Sequence, residues 1–155
     1  MKNVKFLLSA ALVFLASAAL AQDFSGPQYA KWGATPEERE QNILNSNFLK
    51  ESCDNRDYDA AAHYLKGLID KIPDAAESIY QRGAVVYKNK INRAKSVAEK
   101  NMFIDSLMLM YDMRAQYFGD NVKPGKTAFI LDQKAREFLR YKPNDRMGIR
   151  EAFRA

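Results

Sequence analysis

From residue 35 onward the hydrophobic positions of this 155-residue chain recur at three- and four-residue intervals, and no stretch keeps the two-residue alternation of a half-buried strand. "TPEEREQNILNSNFLKES" predicts a first helix: Thr35 suits the N-cap, Pro36 the first helical position, and Glu38 completes a T-x-x-E capping box. Ile43, Leu44, Phe48 and Leu49 form its expected apolar face. "CDNRD" interrupts the pattern. "NRDYDAAAHYLKGLIDKIP" then predicts a second helix, with Tyr58, Ala61, Leu65, Leu68 and Ile72 inward and Pro73 as the stop. Two helices joined by a short polar turn imply an antiparallel hairpin.

"AAESIYQRGAVVYKNK" predicts a third helix. Gly83 in its middle costs about 1 kcal/mol against Ala, so a close approach by a neighbouring element is expected there. "NKINRAKSVAEKN" is basic but helix-compatible and is expected to lengthen the helices on either side. "MFIDSLMLMYDMRAQYFGD" is the clearest amphipathic segment, with Phe103, Leu107, Met110, Tyr111, the stem of Arg114 and Phe118 inward, and Gly119 as terminator. After the turn "NVKPG", the stretch "KTAFILDQKAREFLRY" places Phe129, Ile130, Ala135, Phe138 and Leu139 inward, and Pro143 ends it. "DRMGIREAFRA" begins a further helix. The pattern is all-α.

The N-terminus reads differently. Lys2 and Lys5, the apolar run from Phe6 to Leu20, and Ala19-Leu20-Ala21 predict a signal peptide over 1–21, cleaved after Ala21. No later stretch is apolar enough to span a bilayer. Residues 22–34, "QDFSGPQYAKWGA", predict an extended lead-in whose Phe24, Tyr29 and Trp32 tuck against the first helix. The mature length suits one domain, and the lone Cys53 forbids an internal disulfide, so packing must carry the fold.

Spacing raises a more specific expectation. The intervals Tyr58-x2-Ala61-x3-Leu65-x2-Leu68-x4-Pro73 resemble the second helix of a tetratricopeptide repeat (TPR). The small residue of the next first helix would fall 22 positions after Ala61, at Gly83, with Ile79 in the slot before it. Phe103, Ser106, Met110, Met113 and Phe118 repeat those intervals 45 residues on, 11 more than the usual period of about 34. Eleven residues are about three helical turns, so the faces stay in register. Units of about 36–73, 75–119 and an incomplete 125–155 follow within a helical domain spanning 35–155, and the expected architecture is a short α-solenoid of stacked hairpins.

"YAKWGATPEERE", "NRDYDAAAHYL", "GAVVYKNKINRAKS", "DSLMLMYDMRAQYFGD" and "ILDQKAREFL" resemble the exported TPR proteins of Bacteroidetes. Against those proteins "NDRMGIREAFRA" looks like a repeat cut off within its second helix, as in a truncated member. The resemblance implies a non-enzymatic scaffold of the cell envelope that binds a protein or peptide. Its place would be the periplasm, the outer membrane or the released fraction. On the repeat register, Ser46, Lys50, Tyr80, Ala84, Tyr87 and Lys88 would project into a concave groove, the tyrosines for stacking and the lysines toward an acidic partner.

Charge and reactive residues change this picture little. Residues 22–121 hold 13 basic and 15 acidic side chains, whereas 122–155 hold nine and four. With the run Lys88, Lys90, Arg93 and Lys95, that tail supports an alternative reading as a small helical protein binding anionic envelope material. Nucleic acid is not an expected partner outside the cytoplasm. His63 and Cys53 lack the spacing of a metal site or a catalytic pair, no phosphate loop occurs, and Glu37, Glu38 and Glu40 suit a helix N-terminus. No catalytic residue, metal or cofactor is indicated. Met102, Met108, Met110 and Met113 read as core or inter-helix filler.

Overall fold

The computed structural model describes residues 23–152, which are helical with no strand among them. A 3₁₀ helix at Pro27–Trp32 precedes α1 (Pro36–Asp54), α2 (Tyr58–Lys71), α3 (Glu77–Arg93), α4 (Val97–Phe118), α5 (Lys126–Tyr141) and α6 (Arg146–Ala152). The expected signal peptide over 1–21 and the end of the last unit lie outside the described residues. Each helix packs on its chain neighbours, and α1 also touches the 3₁₀ helix and α3.

The start of α1 is built as the capping box predicts. Thr35 Oγ1 accepts from the Glu38 N–H at 3.3 Å, and the Glu38 carboxylate accepts from Ala34 N at 2.8 Å and Thr35 N at 3.4 Å. Its apolar face, however, is turned. Leu44 and Phe48 are each 41% exposed, while Leu49 and, two turns before it, Asn42 point inward. Asn42 is tolerated there because its amide donates to the Trp32 carbonyl at 2.8 Å.

The lead-in is not extended: Pro27–Trp32 coils, Phe24 meets Tyr29 edge to face at 5.1 Å, and Trp32 packs against the core. Arg39 fastens this segment to α1, donating to the carbonyls of Gly33 (2.9 Å), Phe24 (3.0 Å) and Ser25 (3.1 Å).

Of the five positions expected inward, Tyr58, Ala61, Leu65 and Leu68 of α2 and Ile72, which caps it, are all buried. The basic stretch does lengthen α3 and α4, leaving only residues 94–96 between them. Gly83 is needed for space. A Cβ there would stand 2.6 Å from Met110 Sδ and 3.2 Å from Leu65 Cδ1, so α2 and α4 both press on it. Gly119 ends α4 for a similar reason: a Cβ would stand 2.3 Å from the Ala115 carbonyl oxygen and from Thr127 Oγ1.

Helix α4 is buried on two sides because α3 and α5 both pack on it. Ile104 and Met108 therefore join Leu107, Met110, Tyr111 and Phe118 in the interior, Phe103, Ser106 and Met113 are half-buried, and Met102 is exposed. In α5 the expected face is shifted. Ile130 and Ala135 are inward as expected, but Leu131 and Lys134 join them, while Phe129 and Leu139 are exposed. Lys134 can occupy an inward position because its ammonium reaches Asp112 of α4 at 2.5 Å while its stem packs. Two apolar clusters result, one across α1 to α4 and one across α3 to α5, and Tyr87 touches both.

Candidate functional site

A polar tie joins the three middle helices. Glu77, in the first turn of α3, accepts from Arg114 Nε of α4 at 2.9 Å and from Lys126 Nζ of α5 at 2.6 Å. Arg114 Nη1 also donates to Gln133 Oε1 of α5 at 2.9 Å. Burial alone would raise the Glu77 carboxyl, but the hydrogen bonds and charges of Lys126 and Arg114 outweigh it and hold the group below the usual carboxylate value. Arg114 thus brings its charged head inward as well as its stem.

Beside this tie a hollow of about 390 Å³ opens between α3, α4 and α5. Helix α3 supplies Tyr80, Gln81, Ala84 and Lys88, α4 supplies Met110, Tyr111 and Arg114, and α5 supplies Phe129 and Gln133. Of the six expected groove residues, Tyr80, Ala84 and Lys88 border the hollow; Ser46, Lys50 and Tyr87 do not. Lys50 pairs instead with Asp54 on its own helix at 2.5 Å, Ser46 is half-buried on α1, and Tyr87 wedges between the two apolar clusters.

Tyr80 departs from its expected role. It is 1% exposed, with its ring parallel to Tyr117 at 6.3 Å and its hydroxyl donating to the Pro73 carbonyl at 2.6 Å. Burial pushes its phenol far above the ordinary value, so it remains a donor. Tyr80 is therefore wall, and the open ring at this site is Phe129, which is 55% exposed. Lys88 stands 3.5 Å from Glu137 of α5, a pairing that spans the gap between the two helices.

Sequence reasoning missed Phe129, Gln133 and the Arg114 head as site residues. The available signal was a charged side chain inside the apolar stripe of α4. The hollow is lined by an ammonium, a guanidinium, side-chain amides, two tyrosines and an exposed ring.

Cys53 is half-buried against the first cluster, and burial pushes its thiol up, away from the reactive thiolate. His63 is exposed on α2, edge-on to Tyr64 at 5.6 Å. Among the described residues no three His, Cys, Asp or Glu side chains are placed to hold a metal ion, and no helix is long and apolar enough to cross a membrane. The basic run is engaged within the chain: Lys90 pairs with Asp59 and lies over the Phe103 ring, and Arg93 lies over Tyr58 at 4.8 Å. Comparisons with protein-family models, with curated proteins and with solved structures find no match to this chain.

Proposed function

We propose that this chain is an exported, TPR-like helical scaffold that binds a segment of another envelope protein in the hollow between α3 and α5. The observation that carries the reading is one of register. Counting from Ala61 and Gly83 sets Tyr80, Ala84 and Lys88 on one side of α3, and all three border the hollow. Support for stacked repeat units comes from Gly83 itself, where Leu65 from one unit's slots and Met110 from the next press on the same glycine. The partner segment is extended or helical, with an apolar side chain for Phe129 and a carboxylate that competes with Glu137, 3.5 Å away, for Lys88.

The alternative, collection of anionic envelope material by basic side chains, is the weaker reading. Lys88, Lys90, Lys126, Lys134 and Arg140 each stand within ion-pair distance of a carboxylate of this same chain. Each would have to give up that partner to meet a polyanion.

The test is a pull-down from envelope extract with residues 22–155 as bait, at low and at high salt. A discrete protein retained at high salt is expected, with Phe129→Ala plus Lys88→Gln weakening its binding about tenfold, roughly 1.4 kcal/mol, at unchanged helicity. Retention indifferent to the double substitution would remove the hollow from the reading. Recovery only of acidic polysaccharide or lipid, lost as salt rises, would favour the polyanion alternative.

A further inference from the structure

We infer that the partner seats a tyrosine side chain in the hollow between α3, α4 and α5, its ring against Phe129 and its hydroxyl oxygen accepting from donors on the walls. The inference rests on the hollow reading above and names the chemistry of the group that enters.

Shape limits the occupant first. Helices α3 and α5 are tied across the gap at two levels, Glu77 to Lys126 at 2.6 Å and Lys88 to Glu137 at 3.5 Å. The ties stand at 77 and 88 on one helix and at 126 and 137 on the other, about three helical turns apart on both. The hollow lies between them, and its volume of about 390 Å³ is at the small end of ligand pockets. That space takes one large side chain, while the backbone that carries it passes outside.

The lining then selects a ring. Met110, Tyr111, Arg114, Lys88 and Phe129 all border the hollow. A thioether, a cation and a second ring are each attracted to an aromatic side chain. Arg114 bonds to Glu77 and Gln133 in the plane of its guanidinium, which leaves the faces of that plane to stack. An aliphatic side chain would gain apolar contact alone. A carboxylate inside would meet cations already held by Glu77 and Glu137, so the partner's carboxylate belongs at the Lys88 rim.

Hydrogen-bonding capacity favours a phenol. Lys88 and Arg114 are donors only, and the Gln133 carbonyl oxygen already accepts from Arg114, which leaves its amide NH₂ to donate. The Tyr80 hydroxyl is committed to the Pro73 carbonyl. A tyrosine hydroxyl oxygen accepts from such a wall, and phenylalanine offers it nothing.

The experiment is a titration of ¹⁵N-labelled protein, expressed from Gln22, with N-acetyl-tyrosinamide, N-acetyl-phenylalaninamide and N-acetyl-leucinamide. It is followed at the backbone amides of Gln81, Ala84 and Lys88 and at the side-chain amide of Gln133. The tyrosine amide should give saturable shifts at roughly fivefold higher affinity than the leucine amide, with phenylalanine between. Phe129→Leu keeps an apolar side chain at an exposed position but removes the ring, so it should narrow that gap at unchanged far-UV dichroism. The inference is overturned by the absence of a saturable shift, by leucine or phenylalanine amide binding as tightly as tyrosine, or by a gap that Phe129→Leu leaves intact. These probes need no envelope partner, so the two readings fail separately. A captured partner indifferent to Phe129 and Lys88 removes the hollow from the proposed function, whereas a hollow blind to the ring removes only the tyrosine.

Discussion

Gly83 is the residue on which the packing of three helices converges. A methyl group there would meet Met110 Sδ at 2.6 Å, and a branched side chain would also run into Leu65. Gly83→Val is expected to lower stability by about 2 kcal/mol through overpacking, read as a lower urea midpoint at constant m-value. This residue was legible in advance, because a glycine inside a strong helical period needs a neighbour to justify it. Asn42 and Arg114 were not legible in the same way. A hydrophobicity pattern assigns each side chain inward or outward on its own polarity. These two go inward because distant elements supply partners: the Trp32 carbonyl for one, Glu77 and Gln133 for the other. Phe129 and Leu139 erred in the opposite direction, since apolar character alone does not say which neighbour a helix will have.

Among the elements, α2 was read correctly along its whole face because its buried residues Tyr58, Ala61, Leu65 and Leu68 fall on one stripe, where a period of 3.6 is most informative. Helix α4 was read in part, since contact on two sides blurs the period. The tie at Glu77 sets how α3, α4 and α5 sit together, and it is charge-dependent. Its folded-state carboxyl lies below the ordinary value of 4.5, so its stabilisation is full above that pH and is lost as pH falls through the folded value. Glu77→Gln should therefore cost about 2 kcal/mol near neutrality, because it removes the negative charge that Arg114 and Lys126 share and turns one of the two accepting oxygens into a donor. Urea unfolding of both proteins from pH 7 down to pH 3 checks this. The gap between them should narrow in acid, and a gap that does not change with pH would assign the effect to packing alone.

At the scale of the whole molecule, the two apolar clusters share Tyr87, and the interior is continuous from the lead-in to α5. Sequence alone indicated the helical class and most helix boundaries, because caps, stops and period are local. The hollow depends on how helices are rotated about their axes, which non-local contacts decide. One detail of the lead-in has a practical consequence. Trp32 is the only tryptophan in the chain, and it sits at the extreme N-terminal edge of the first cluster with its carbonyl held by Asn42. Its fluorescence therefore watches one end of the molecule, while circular dichroism averages over every helix. Since the shared Tyr87 couples the clusters, emission and dichroism should follow a single coincident thermal transition. Emission that shifts at lower temperature than dichroism would reveal a lead-in that detaches first, and the lone indole would then serve as an optical gauge of that end.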